Sequence, residues 1–210
     1  MTRKLYWETG ATQAEVEVLA CEYLASGDYG IRLDQTPFHP QGGGQRSDVG
    51  CIGNADVIGV GFENGEIVHY TRQAVAKGIA IAKVDARERD IHSRLHSAGH
   101  LIGHALEALH WNPIKAHHWP GEARVVFSPG DHAPTIEVEE VQRLCEQLIA
   151  QNLPCRIRID EGGFRKVGFG DLPPYACGGT HVISTASLKG LRVLAAHLKK
   201  GQLTVQYDIQ

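Results

Sequence analysis

The spacing of apolar residues changes near residue 85, and this change restricts the chain to folds with two different halves. Before it, Ala14, Val16, Val18 and Ala20 alternate with polar neighbours, as in a half-buried strand. After it, apolar residues from Ile91 to Leu109 recur every three or four positions. This predicts one helix of about 25 residues that begins after Asp85, a suitable N-cap. We therefore expect an all-β segment followed by an α+β segment.

Residues that favour turns or end helices predict the remaining elements. Asn64-Gly65 lies between two apolar runs and indicates a hairpin. Asn112-Pro113 is expected to end the long helix, and Pro154 to end a second helix with Val138 to Leu148 on its buried face. Further strands are expected at Arg124 to Phe127, Cys155 to Ile159, near Val182, at Arg192 to Ala196 and at Leu203 to Tyr207.

The composition is that of a globular protein without export or membrane signals. No stretch approaches the roughly 20 apolar residues that cross a bilayer. The start of the chain lacks the apolar core of a signal peptide, so the expected compartment is the cytoplasm. The five cysteines form no CxxC pair, which fits a reducing environment. A net charge of -3 gives no general basic field, so a nucleic-acid partner would need local basic patches.

Four of the 12 histidines, His92, His96, His100 and His104, recur every four residues on the predicted helix. Side chains four residues apart lie one above the other on a helix, so any adjacent pair could bind a metal ion. The spacing does not select the pair. The alternative is a row of histidines with ordinary hydrogen bonds beside the apolar stripe.

A second candidate pair of ligands is Cys177 and His181 in the run Cys-Gly-Gly-Thr-His. Cysteine and histidine are ligands that zinc prefers, and two intervening glycines allow a tight loop that brings both together. Taken alone, this run could be a turn beside a buried cysteine. Two such pairs in one chain favour a zinc site.

Three motifs resemble the editing domain of alanyl-tRNA synthetase. They are the HxxxH motif His96 to His100, the CGGTH motif Cys177 to His181, and the glycine-rich run Gly42 to Gly50. The chain is identified as similar to the medium-length AlaX proteins, which are freestanding relatives of that domain. The resemblance implies an α+β fold with a small barrel-like β domain at residues 1–86. An α+β editing domain at residues 87–210 would follow, with an antiparallel sheet packed against helices.

The resemblance also implies a function. The chain would be an aminoacyl-tRNA hydrolase that removes serine, and also glycine, from mischarged tRNA(Ala), with neither DNA nor a membrane as partner. One Zn²⁺ would be bound by His96, His100, Cys177 and His181, with three firm ligands and one position open; Cys177 or His100 would be the loose ligand. These four residues are the expected catalytic set.

Further residues are expected to contact the substrate. Ser97 and Thr180 carry hydroxyl groups inside the two motifs and are expected to recognise the serine hydroxyl. Gln45, Gly43 and Gly44 are expected to face the end of the tRNA, and Lys166 and Arg165 to contact its phosphates.

Two alternatives stay open from the sequence. The same deacylation could act on Ser-tRNA(Thr), because the editing domain of threonyl-tRNA synthetase shares the HxxxH and CxxxH spacings. The chain could also be a zinc-stabilised module that binds tRNA without turnover.

Overall fold

The computed structural model describes residues 2–210, and its contacts divide the chain into two compact units. The first comprises the residues up to Gly42 together with Arg46–Asp90, and the second comprises Gly43–Gln45 together with Ile91–Gln210. The fold is α+β with mostly antiparallel sheets, as expected. The sequence assigned the whole glycine-rich run to the first domain. Gly43–Gln45 instead belong to the second unit, because Gln45 hydrogen-bonds to residues of that unit.

The first unit is built around a barrel of six antiparallel strands. The elements in chain order are β1 (Arg3–Lys4), α1 (Leu5–Glu8), β2 (Gln13–Tyr23), β3 (Tyr29–Leu33), β4 (Gln35–Thr36), β5 (Gly50–Ile52), β6 (Ala55–Glu63), β7 (Glu66–Thr71) and β8 (Gly78–Val84). The barrel closes in the order β2-β3-β7-β6-β5-β8, and β1 pairs with β4 in a separate parallel ladder. The barrel-like domain expected from the sequence is thus confirmed.

Local sequence explains how these strands form. Val16 and Val18 are buried while Glu15 and Glu17 between them are exposed, so β2 directs alternate side chains into the barrel. Asn64 and Gly65 both have positive φ, at 51° and 82°, as the tight turn between β6 and β7 requires. Both expectations from the sequence are confirmed.

The second unit contains two antiparallel sheets and two long helices. Its elements are α2 (Ala86–Glu107), which begins in the first unit, then β9 (Trp111–His117), β10 (Arg124–Pro129), α3 (Val138–Ala150), β11 (Cys155–Ile159), β12 (Arg165–Phe169), β13 (Tyr175–Ala176), β14 (Leu191–Lys199) and β15 (Gln202–Ile209). A single 3₁₀ turn spans Thr185–Leu188. The larger sheet has the order β14-β15-β10-β9, and the smaller has the order β11-β12-β13.

Helix α2 provides much of the apolar core of the second unit. Asp85 caps it, because the Asp85 carboxylate accepts hydrogen bonds from the backbone N–H groups of Arg87 and Glu88 at 2.9 and 3.1 Å. Its residues Leu95 and Ile102 are fully buried in one cluster with sheet residues of β10 and β15. The predicted stripe is confirmed. No helix within residues 2–210 is both long enough and apolar enough to cross a membrane.

One predicted boundary and one predicted strand are wrong. The helix ends at Glu107, before Asn112-Pro113, because His110 takes a positive φ of 62° and turns the chain into β9. Pro113 lies in that strand, which is tolerated because β9 is at the edge of its sheet. The strand expected near Val182 is a loop whose backbone N–H bonds to Ser97, and the sequence did not predict β12.

A buried ion pair stabilises the first unit. The Asp48 carboxylate is fully buried and accepts hydrogen bonds from the Arg89 guanidinium and from the backbone N–H of His39 at 2.5 Å. Arg89 also donates to the carbonyl oxygen of Pro37 at 2.7 Å. These bonds join residues on both sides of Gly42–Gly44 to the first turn of α2.

We expect Asp48→Asn to lower the free energy of unfolding by about 3–5 kcal/mol, because it leaves the Arg89 guanidinium buried without a charged partner. Urea denaturation followed by circular dichroism measures the change. Asp171→Asn is the matched control: Asp171 pairs with Arg156 at 2.9 Å, but its side chain is 95% exposed, so little change is expected. Equal effects of the two substitutions would contradict this assignment.

Candidate metal centre

Four side chains with metal-binding atoms converge in the second unit. His96 and His100 lie one turn apart on α2, and Cys177 and His181 lie on the loop after β13. One potential ligand atom from each lies within 4.8 Å of all the others. The helix ladder therefore contributes its two middle members, and the group could hold a metal ion.

The distances from the Cys177 sulfur to two of the histidine nitrogens fit a tetrahedral ion. The Cys177 sulfur lies 3.4 Å from Nε2 of His96 and 3.1 Å from Nε2 of His181. Bonds of about 2.0–2.3 Å to a zinc ion place neighbouring ligand atoms roughly 3.5 Å apart. Nδ1 of His100 is buried and makes no hydrogen bond with any residue in the range 2–210. Three nitrogens and one sulfur are a donor set that suits zinc.

Gln45 fixes the protonation of His96. The backbone N–H of Thr180 can only donate, and it lies 2.9 Å from Oε1 of Gln45. Oε1 is therefore the carbonyl oxygen of the Gln45 side chain and acts as an acceptor. Nδ1 of His96 lies 2.7 Å from the same oxygen and must therefore carry the proton. The lone pair of His96 is then on Nε2, which faces Cys177. A fixed tautomer of this kind is typical of histidines that bind metals.

Ser97 supports His181 in a similar way. The Ser97 hydroxyl lies 3.0 Å from Nδ1 of His181 and accepts a hydrogen bond from the backbone N–H of Val182 at 3.1 Å. Ser97 is fully buried. Since Nε2 of His181 faces Cys177, these contacts orient the ring towards the cluster.

Arg165 shapes the loop that carries Cys177. Its guanidinium donates to the carbonyl oxygens of Cys177 and Gly179 at 2.8 and 3.0 Å, and the Cys177 N–H donates to the Arg165 carbonyl at 3.0 Å. Gly179 approaches the His96 ring so closely that a Cβ there would lie 2.2 Å from ring atoms. Any larger residue at position 179 would displace the ligand.

Burial favours the uncharged forms of Cys177 and His100 when no ion is bound. It raises the pKa of the Cys177 thiol, although the Gly179 N–H and the charge of Arg165 act in the opposite direction. It lowers the pKa of His100 to about 3, with smaller contributions from His118, His104 and Arg165. The thiol therefore has to release its proton when a metal binds.

The cluster opens onto a cavity of about 300 Å³. Among its lining residues are three of the four ligands, His96, His100 and Cys177. The others include small residues and a few polar side chains: Gly43, Gly99, Gly103, Ala116, Lys115, His118 and Tyr175. A cavity of this size accommodates a small organic group.

The structure brings some of the other predicted site residues to the cavity and not others. Gly43 lines it, whereas Gln45, Ser97 and Thr180 are buried beside the ligands and do not line it. The Thr180 hydroxyl is occupied by hydrogen bonds with Gln45 and Ser93 at 2.8 and 2.7 Å. The carbonyl oxygen of Gly44 accepts a hydrogen bond from the backbone N–H of His118.

The two residues predicted to contact phosphates differ in their exposure to solvent. Arg165 is only 5% exposed and its guanidinium is bonded to the ligand loop, so the expected phosphate contact does not fit it. Lys166 is partly exposed and pairs with Asp160 at 3.2 Å. Neighbours in a strand point to opposite faces, which accounts for the contrast.

His118 and Tyr175 line the cavity and are not among the site residues predicted from the sequence. His118 follows another histidine, and nothing in the local pattern distinguishes the two. Tyr175 follows two prolines in a segment without periodicity. Only the path of the chain in three dimensions places these side chains beside the ligands.

Comparison with known proteins shows similarity to alanine–tRNA ligases. The alanine–tRNA ligase of Halorubrum lacusprofundi is 30% identical over an alignment of 222 residues that covers 92% of this chain. The chain is a homologue of part of alanine–tRNA ligase. The ligase of Archaeoglobus fulgidus is also 30% identical, over 232 residues, and that of Natronomonas pharaonis is 28% identical over 225.

The expected resemblance to the alanyl-tRNA synthetase family is confirmed by these matches. The chain spans 24% of the length of each of these three ligases. No protein-family model matches the chain.

We expect the chain to bind one Zn²⁺ ion, and Cys177→Ala to weaken binding at least about 100-fold because it removes the sulfur ligand. Competition with a chromophoric chelator measures the affinity, and elemental analysis measures the stoichiometry. Cys51→Ala is the matched control, since Cys51 is a half-buried cysteine on a barrel strand. Undiminished zinc binding by Cys177→Ala would contradict the site.

Binding of Zn²⁺ near neutral pH is expected to release about one proton, from the Cys177 thiol. Because burial raises the pKa of this thiol, protons compete with the metal throughout the neutral range. The logarithm of the affinity should therefore rise by about one for each unit of increasing pH. Titration calorimetry in two buffers of different ionisation enthalpy measures the released proton. An affinity that does not depend on pH would show that the thiol is already ionised.

Proposed function

We propose that this chain hydrolyses the ester bond of mischarged aminoacyl-tRNA, with Ser-tRNA(Ala) as the main substrate and Gly-tRNA(Ala) as a second. The observation that carries the proposal is the cluster of four ligand atoms beside a cavity of about 300 Å³. It occurs in a chain similar to part of alanine–tRNA ligases, whose editing domain the three sequence motifs resemble. Such an enzyme would act in the cytoplasm, with tRNA as its partner.

The metal would be zinc, held by His96, His100, Cys177 and His181. When bound, it would polarise the ester carbonyl and favour deprotonation of a nearby water. The chain's own residues orient the ligands: Gln45 holds His96, and Ser97 holds His181. Gln45, Ser97 and Thr180 are therefore proposed as positioning residues rather than as groups that touch the substrate.

Four protein ligands are typical of structural zinc sites, whereas catalytic sites keep one position open. His96 donates a hydrogen bond to Gln45, Cys177 accepts one from the Gly179 N–H, and His181 is hydrogen-bonded to Ser97. The His100 ring makes no such bond within residues 2–210 and lines the cavity. We propose that His100 would be the loose ligand of the four, the one whose position could be open to the substrate.

The cavity is suited to a small aminoacyl group. Gly43, Gly99, Gly103 and Ala116 contribute little side-chain volume to its walls, and the apolar Ile114 and Pro113 lie beside them. Lys115 is exposed and lines the same cavity, so its charge is available to a phosphate of the tRNA end. Lys166, which is also accessible, is proposed as a second phosphate contact.

Deacylation of Ser-tRNA(Ala), Ser-tRNA(Thr) and Ala-tRNA(Ala) by the zinc-loaded protein tests the proposal. We expect rapid loss of serine from tRNA(Ala), with Ala-tRNA(Ala) cleaved at least about 100-fold more slowly. His100→Ala should lower kcat/KM for the seryl ester at least about 100-fold. His197→Ala is the matched control, because His197 lies on β14 and does not line the cavity.

The outcomes separate the alternatives. Preference for Ser-tRNA(Thr) would keep the reaction and change the tRNA. Stoichiometric zinc without turnover on either tRNA would reject the enzyme and favour the zinc-stabilised binding module.

A further inference from the structure

His118 lies beside the ligand cluster without belonging to it. Its ring stacks on the ring of His96, with centroids 4.5 Å apart and planes inclined by 20°. The residue is only 3% exposed and lines the cavity. A side chain in this position lies next to any group that the cluster would bind.

Tyr207 determines which nitrogen of His118 carries the proton. The Tyr207 hydroxyl has a single proton, and it donates this proton to the carbonyl oxygen of Leu95 at 3.0 Å. The same hydroxyl lies 2.5 Å from Nδ1 of His118, so it must accept a hydrogen bond there. Nδ1 therefore carries the proton of the neutral ring, and Nε2 carries the lone pair.

The surrounding backbone is built to admit this ring. A Cβ at Gly99 would lie 2.3 Å from Cε1 and 2.6 Å from Nδ1 of His118, so no other residue at position 99 leaves room for it. The backbone N–H of His118 donates to the carbonyl oxygen of Gly44 at 2.9 Å. Both the ring and the backbone of His118 are thus held in place.

The lone pair on Nε2 is available to a ligand. Nε2 makes no hydrogen bond with the residues in the range 2–210. It is also absent from the buried polar atoms without a partner, so the atom is accessible to a small molecule. Since the ring lines the cavity, the open side of Nε2 is the cavity side. His118 therefore offers a fixed hydrogen-bond acceptor next to the proposed metal centre.

A neutral donor matches this acceptor better than a cationic one. None of the described residues that line the cavity is an aspartate or glutamate. A cationic side chain buried there without a carboxylate partner would be costly, whereas a hydroxyl with one good acceptor is not. The α-amino group is common to all aminoacyl esters and does not distinguish them. The hydroxyls of Ser97 and Thr180 are already engaged with their neighbours outside the cavity wall.

We infer that Nε2 of His118 accepts a hydrogen bond from the side-chain hydroxyl of a seryl substrate and thereby distinguishes seryl from alanyl and glycyl groups. The inference rests on the proposed function for the class of substrate. It makes His118 a specificity-determining residue, in place of Ser97 and Thr180.

The test compares kcat/KM for Ser-tRNA(Ala) and Gly-tRNA(Ala). His118→Phe keeps the ring stack on His96 and removes both nitrogens. We expect it to lower the seryl-to-glycyl ratio roughly 100-fold, with the glycyl reaction changed less than about threefold. His118→Gln offers a carbonyl oxygen near the former Nε2 and should retain more of the ratio than His118→Phe. Zinc content is measured for every variant.

His117→Phe is the matched control. His117 precedes His118 directly, pairs with Glu122 at 3.4 Å and does not line the cavity. Its substitution should leave the ratio unchanged. An equal loss of seryl and glycyl turnover in His118→Phe would overturn the inference, because it would indicate a structural or general catalytic role.

A binding experiment separates this inference from the proposed reaction. The probes are 3′-amide analogues of seryl-, alanyl- and glycyl-adenosine, which cannot be hydrolysed as esters. If the wild-type protein lacks turnover but binds the seryl analogue selectively, and His118→Phe loses that selectivity, the hydrolase proposal fails and the inference holds. Equal binding of all three analogues by the wild-type protein, or binding of none, would overturn it.

Discussion

The carboxamide of Gln45 is the link on which the metal centre depends. Its oxygen receives the Nδ1 proton of His96 and the backbone N–H of Thr180, and its nitrogen donates to the Thr180 hydroxyl. The glycine-rich segment, helix α2 and the CGGTH loop are thereby joined through one fully buried side chain. A buried amide that lost one of these partners would leave another polar group unsatisfied, so the three segments are coupled energetically.

The ladder of histidines shows how a regular pattern becomes an asymmetric site. A step of four residues turns an α-helix slightly beyond a full circle, so successive members drift around the axis. His96 and His100 face the loop that carries Cys177, whereas His104 has moved on to stack against Tyr175, with ring centroids 4.4 Å apart. One helix thus contributes two ligands and, through His104, a ring that packs against the cavity residue Tyr175.

Much of this architecture follows from local sequence, and the parts that do not have identifiable physical causes. Alternation in β2, the Asn64-Gly65 turn and the Asp85 cap are short-range signals, and each is present in the structure. The end of α2 was misplaced because Pro113 resembles a helix stop, and edge-strand geometry accommodates it instead.

At the metal centre, too, short-range signals were readable from the sequence and long-range contacts were not. The four ligand positions were visible because each pair is close in sequence. The bonds of Ser97 and the place of His118 depend on contacts between residues far apart in the chain. Arg165 illustrates the limit: sequence marks it as a charge available to phosphate, and only the fold shows its guanidinium turned onto the ligand loop.

The position of Gly43–Gln45 in the second unit has a consequence for how the protein is made. Gln45 and Thr180 are separated by 135 residues, so the ligand-orienting amide is synthesised long before its partners. Contacts of such long range form late, because a large loop must close before they contribute. During synthesis the Gln45 amide therefore lacks its Thr180 partner until the CGGTH loop has left the ribosome. A fragment that starts at residue 87 would keep the four ligand residues but lose Gln45, and with it the acceptor that orients the His96 ring.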